Sequence, residues 1–123
     1  MPVKPMDILV VDDDEACRSE LERLLSGHGH RVHCASDVST ALRLADSLSP
    51  QLIISDVNLP GPSGIDLLRS LKSSDSGVAV VLMTGNSEAA DTAAAFQLGA
   101  SGFLQKPVRA EALLDGIRRL QKA

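Results

Sequence analysis

ILVVDDDEA, residues Ile8 to Ala16, runs four aliphatic side chains straight into three aspartates and a glutamate. An unbroken apolar run of strand length suits a strand covered on both faces, as at the centre of a parallel sheet. Charge is costly at the mouth of such a strand, so a block of carboxylates there needs something to compensate it. Two of the four have a plain structural reading. Asp14 and Glu15 open the following helix as cap and first-turn acid, favoured by its unpaired amides and its dipole. Asp12 and Asp13, at the strand end itself, have no such compensation.

Outward from this stretch the same pattern recurs. Strand-length apolar runs fall at Ile8 to Val11, Arg31 to Ala35, Leu52 to Ser55, Val78 to Met83 and Gly102 to Leu104, each followed by a segment of helical period. The helices show apolar faces at Cys17, Leu21, Leu24 and Leu25, then at Val38, Ala41, Leu42, Ala45 and Leu48, then at Ile65, Leu68 and Leu71. The last is the clearest amphipath, with Ala110, Leu113, Leu114, Ile117 and Leu120 on one side and Arg118, Arg119 and Lys122 near its end. The fourth, Ser87 to Ala100, is alanine-rich and weakly amphipathic, which suits either a solvated helix of low packing density or a mobile part of a signalling face. Five βα units of about 25 residues, joined by right-handed crossovers, predict one α/β domain over residues 1–123. Its architecture is a doubly wound, flavodoxin-like sandwich: a five-stranded parallel sheet in the order 2-1-3-4-5, with five helices on its two faces.

Sheets of this kind bind ligands outside the carboxyl ends of their strands. Four strands end in chemically useful groups: the first in Asp12 and Asp13, the third in Asp56, the fourth in Thr84 and the fifth in Lys106. With the first and third strands adjacent, three carboxylates converge beside a hydroxyl and an ammonium. Two like charges about 4 Å apart repel by roughly 4 kcal/mol at an effective dielectric of 20, so the trio calls for a cation. Oxygen-only donors that leave room for waters and phosphoryl oxygens suit Mg²⁺. An aspartate beside Mg²⁺ can also attack phosphorus and form an aspartyl phosphate, with Lys106 and Thr84 placed to hold the transferred oxygens.

Composition narrows the function further. The net charge of −4 argues against nucleic acid as a direct partner of this domain. The first residues, MPVKPMD, lack the apolar run of a signal peptide, and no stretch approaches the eighteen or so apolar residues of a membrane span, so cytoplasm is the default. Cys17 and Cys34 show no metal or disulfide spacing and read as small buried hydrophobes. His28, His30 and His33 lack a completing carboxylate or thiol and read as solvated turn residues.

Together these residues resemble the receiver domain of bacterial two-component response regulators, from about Asp7 to Leu120. VVDDDE matches the family's acidic pair at Asp12 and Asp13. DVNLPGPSG matches the acceptor loop, with Asp56 as phospho-acceptor, Pro60 in the turn and Gly64 opening the third helix. MTG matches the hydroxyl position at Thr84, and GASGFLQKP carries the switch aromatic Phe103 and the lysine Lys106. Leu59 stands where Met is frequent, and Phe103 where Tyr is also common.

The resemblance implies phosphoryl transfer from the phosphohistidine of a sensor histidine kinase, or of a phosphotransfer protein, to Asp56. It implies Mg²⁺ held by Asp13, Asp56 and the backbone carbonyl of Asn58, with Asp12 acting directly or through water. Thr84 would move toward the phosphoryl group, Phe103 would turn inward, and the face of the fourth helix, fifth strand and fifth helix would change for a downstream output domain or protein, or for a phosphorylation-dependent homodimer. It also implies a cis Lys106–Pro107 bond, and a role for Asn58 and Asn86 in the lifetime of the phosphoryl group. Such a chain is a signalling domain that promotes its own phosphotransfer and dephosphorylation, rather than an enzyme. It stands alone, or it forms the front of a larger regulator with a DNA-binding, ATPase or enzymatic output domain. An aspartyl-phosphate hydrolase is a remoter reading, because its nucleophile belongs to an Asp-x-Asp motif on the first strand. Nucleotide binding is disfavoured by the lack of a glycine-rich phosphate loop.

Overall fold

A computed structural model describes residues 4–74, 76–85 and 89–122, with side chains throughout except at 89–92 and 122. Strand and helix alternate along the chain: β1 Asp7–Val11, α1 Glu15–Gly27, β2 Arg31–Ala35, α2 Val38–Leu48, β3 Leu52–Asp56, α3 Gly64–Ser73, β4 Ala79–Thr84, α4 Ala89–Gln97, β5 Gly102–Gln105 and α5 Ala110–Lys122. All four strand pairings are parallel, and the sheet order is β2-β1-β3-β4-β5. β3 and β4 each run one residue beyond their apolar stretch, so that Asp56 and Thr84 are the last rungs of their strands.

Side chains alternate across a strand, and in a sheet covered on both sides each set meets its own layer of helices. Leu9, Val11, Ile53, Val80 and Leu82 pack toward α2 and α3 with Val38, Ala41, Leu67, Leu68 and Leu71. Ile8, Val10, Leu52, Ile54, Val81 and Met83 pack the other way, against Leu21 and Leu25 of α1 and Leu113 and Ile117 of α5. Both cores are built almost wholly from aliphatic groups. α4 enters the first core through Ala95, with Leu98 and Ala100 following it, while Phe96 is 50% exposed. Among the described residues, no helix is long and apolar enough to cross a membrane.

The helix starts follow local chemistry. Asp14 caps α1 and accepts from the Ala16 amide at 3.0 Å. Asp37 caps α2 through the Thr40 amide at 2.8 Å. Ser63 and Asp66 form a reciprocal capping box on α3.

Three expectations need correction. On α2 the outward residue is Leu48, 36% exposed, whereas Leu44 packs on the core. Cys17 and Cys34 are only half-buried, and each thiol lies beside a carboxylate, Asp12 and Glu22 respectively. His30 is not solvated. It is 5% exposed, and its Nδ1 accepts the Met6 N–H at 3.1 Å, an amide just before β1 that would otherwise be buried without a partner. Its Nε2 is buried and finds no partner among the described residues.

Burial, and to a lesser degree the charge of His28, holds the His30 imidazole below its ordinary value. The folded protein therefore refuses a proton that the unfolded chain accepts once the pH drops through about 6.5. The contribution of His30 is fully present above that value and is lost as the pH falls toward the depressed folded value. Thermal melts between pH 7.5 and 5.5 should show stability falling by up to about 1.4 kcal/mol per pH unit from this group. His30→Gln, whose side-chain oxygen can accept the Met6 amide, should flatten the slope. An unchanged slope in that variant would remove His30 as its cause.

Candidate functional site

The site forms where β1, β3, β4 and β5 end side by side. Asp12 carries the sheet one rung past β1, its N–H donating to the Ala35 carbonyl at 3.0 Å. Asp56 closes β3, and the following Val57 N–H donates to the Met83 carbonyl at 2.8 Å, which ties the acceptor loop to β4. The Lys106 N–H donates to the Thr84 carbonyl at 2.8 Å, fixing the loop after β5 to the end of β4. The Lys106–Pro107 bond is cis.

These backbone ties bring the side chains together. One carboxylate oxygen from each of Asp12, Asp13 and Asp56 lies within 4.8 Å of the others. The Lys106 ammonium donates to Asp12 Oδ2 at 2.8 Å and to Asp56 Oδ2 at 2.6 Å. The remaining oxygens are used as well. Asp12 Oδ1 accepts the Asp14 N–H at 2.9 Å, and Asp56 Oδ1 accepts the Asn58 N–H at 3.0 Å. Asp12 is fully buried, Asp56 is 7% exposed and Asp13 is open to solvent.

Burial alone would raise the Asp12 carboxyl, but hydrogen bonds from Cys17, Lys106 and the Asp14 amide outweigh it and hold the group below the ordinary carboxylate range. Burial likewise disfavours the Lys106 ammonium, and the hydrogen bonds and charges of Asp12 and Asp56 overcome that and raise it. The Cys17 thiol is pushed up to about 12 by burial and by its hydrogen bond to Asp12, so it stays protonated. Three carboxylates against one ammonium leave two negative charges uncompensated. The donor set is oxygen only, with one open carboxylate, which fits a hard divalent cation that retains water.

The sequence-derived residues are thus placed as follows. Asp12, Asp13, Asp56 and Lys106 form one cluster. Thr84 is buried at the end of β4, beside it in the sheet and bonded to Lys106 through the backbone. Asn58 is exposed, its amide held by Asp56. Phe103 stands on β5, half-buried against the core that includes Leu9 and Ile53, outside the acidic cluster. Asn86 lies outside the described residues. Among the described residues, the group that could hold a metal ion contains no histidine.

Three contacts escaped the sequence reading, although Gly64 was already placed at the opening of the third helix. Cys17 bonds Asp12. The Arg18 guanidinium donates to the Asp12 carbonyl at 2.7 Å. Gly64 lies against the backbone of Asp56 and Val57, where a Cβ would meet the Asp56 carbonyl. Only Arg18 had a usable signal: it sits four residues after the cap Asp14, hence on the helix face that looks back at the strand end.

The family model of the response regulator receiver domain matches residues 8–118. The chain is 36% identical over 116 residues to Response regulator MprA of Mycolicibacterium vanbaalenii, covering 94% of the chain and 50% of that protein. It is 36% identical over 111 residues to DNA-binding response regulator MtrA of Mycolicibacterium smegmatis, covering 90% of the chain and 48% of that protein. The chain spans about half the length of the curated relatives it matches. Among solved structures, the signal receiver domain of an HD domain-containing protein from Pseudomonas fluorescens superimposes with a TM-score of 0.90 at 30% identity, covering 97% of this chain and 96% of that one.

Proposed function

The chain belongs to the response regulator receiver domain family, and from that premise we propose that residues 1–123 form one receiver domain whose Asp56 accepts a phosphoryl group. The observation that carries this is the junction of Asp12, Asp13 and Asp56 under a single bridging ammonium, Lys106.

The donor is the phosphohistidine of a sensor histidine kinase or of a phosphotransfer protein. An Asp56 oxygen forms the new P–O bond, the P–N bond breaks, and the histidine nitrogen keeps the electron pair and takes up a proton. Asp13, Asp56 and the Asn58 backbone carbonyl would hold Mg²⁺, with Asp12 acting directly or through water. When bound, Mg²⁺ supplies the positive charge that offsets the two uncompensated carboxylates and the incoming phosphoryl oxygens. The rest falls to the chain. Lys106, already on Asp56, pairs with a phosphoryl oxygen as the carboxylate becomes an acyl phosphate. The Thr84 hydroxyl donates to another, and Phe103, paired on β5 with Leu82 two residues before Thr84, turns inward.

The output is the α4–β5–α5 face, read by an output domain, a separate protein or a second copy of the domain. The half-length match to the curated relatives favours an output domain in the same polypeptide. The setting is cytoplasmic.

Incubation with Mg²⁺ and a small phosphodonor such as phosphoramidate should add one phosphoryl group, mapped to Asp56 by reductive trapping and peptide mass. Label on any other residue would sink the assignment. Asp13→Asn should raise the Mg²⁺ concentration needed for half-maximal phosphorylation by at least about tenfold, since even outer-shell partners of metal ligands are worth that much. An Asp13→Asn protein with wild-type Mg²⁺ dependence would remove Asp13 from the ligand set.

A further inference from the structure

The phosphorylation reading uses only the carboxylate of Asp12, yet its main chain is held as firmly. The N–H of Asp12 reaches Ala35 of β2, and β2 ends there. The N–H and C=O of a residue in a parallel ladder address the same neighbouring strand, so the Asp12 carbonyl faces the place where the next rung of β2 would be. A side chain from the helix fills that place. Arg18 Nη1 donates to the Asp12 carbonyl at 2.7 Å, and Arg18 is itself half-buried.

Two further bonds close a ring. The Arg18 N–H donates to the Asp14 carbonyl at 3.0 Å, and the Asp14 N–H donates to Asp12 Oδ1 at 2.9 Å. The backbone and carboxylate of Asp12 are therefore locked, together with the cap residue Asp14, by one turn of α1. The guanidinium is permanently charged and planar, which suits it to a fixed contact at the edge of a surplus of negative charge.

Building on the proposed phosphorylation of Asp56, we infer that Arg18 is a positioning residue for that reaction: it sets the backbone of Asp12, and through it the direction of the carboxylate that Lys106 holds and that would face Mg²⁺ directly or through water. Nothing in this role brings Arg18 to the phosphoryl group.

The test compares Arg18→Met, which keeps an apolar stem without the donor, with Arg18→Lys, which restores a charged donor. Three quantities are read: the phosphorylation rate with phosphoramidate, the Mg²⁺ concentration for half-maximal rate, and amide hydrogen exchange in Mg²⁺-free buffer. Arg18→Met should lower the rate at saturating Mg²⁺ about tenfold and raise the Mg²⁺ requirement by a similar factor, the scale of an outer-shell contact. Exchange should quicken at the Asp12 and Asp14 amides and stay unchanged in the core of β3 and β4. Arg18→Lys should recover most of both losses.

A wild-type rate with wild-type Mg²⁺ dependence in Arg18→Met would overturn the inference. So would exchange that quickens evenly over the sheet, which would make Arg18 a stabilising residue only. If the wild-type protein takes up no phosphoryl group at Asp56 in the same assay, the underlying reading fails, and the inference with it.

Discussion

An Asp56→Asn variant is expected to take up no phosphoryl group from phosphoramidate, while its melting temperature stays within a few degrees of wild type. The chemical half follows from nucleophilicity, since an amide oxygen in place of the carboxylate cannot form a stable acyl phosphate. The stability half follows from magnitudes. Removing the charge removes repulsions toward Asp12 and Asp13, which lie within 4.8 Å and at that separation and an effective dielectric of 20 cost about 3.5 kcal/mol each. It also removes an attraction to Lys106 at 2.6 Å, roughly 6 kcal/mol on the same scale. These nearly cancel, leaving a net change of about 1 kcal/mol or less, which for a domain of this size is a shift of a few degrees. The side-chain oxygen still accepts the Asn58 amide, and Lys106 keeps Asp12. Intact mass after phosphodonor treatment and a thermal melt check both halves. Phosphorylation elsewhere in the variant would displace Asp56 as acceptor, and a collapse in melting would make it a structural residue first.

Much of this site can be read in the sequence because it is costly. Apolar runs such as Leu52 to Ser55 announce buried strands, so the charge that follows at Asp56 stands out as unfavourable unless compensated. The strand order then turns four separate strand ends into one site. What escaped detection lies in contacts whose sequence signature is ordinary. Arg18 on a helix looks like any solvated cation, and its bond to the Asp12 carbonyl exists only because β2 ends at Ala35. His30, flanked by Gly29 and preceded by His28, has the composition of an exposed turn, yet the Met6 amide, twenty-four residues away, draws it inside. Leu44 and Leu48 of α2 lie too close in helical phase for periodicity to decide which faces the sheet. Tertiary packing decided in each of these cases.

Gly64→Ala is expected to cut phosphorylation of Asp56 about a hundredfold, the scale of a 1 Å misplacement of a reacting group. The reason is space rather than backbone conformation, since Gly64 is not among the residues of positive φ. It opens α3 with its N–H donating to the Val57 carbonyl at 2.9 Å. A Cβ there would crowd the Asp56 carbonyl oxygen and stand 3.0 Å from both Asp56 C and Val57 Cα. All three are backbone atoms, so no rotamer change relieves the contact. Either α3 retreats or the main chain of Asp56 moves, and both draw the carboxylate away from Lys106 and Asp12. Overpacking of this kind costs roughly 1–3 kcal/mol, offset in part by the better helix propensity of alanine, up to about 1 kcal/mol. The loss of phosphorylation should therefore far exceed the loss of stability. Gly116→Ala is the matched control: it lies within α5, where an added Cβ meets nothing within 4 Å. That variant should gain roughly 0.5–1 kcal/mol from propensity alone and phosphorylate at the wild-type rate. If Gly64→Ala behaves like Gly116→Ala, the acceptor loop has more room than the packing of Gly64 on Asp56 allows, and the position of Asp56 does not depend on that glycine.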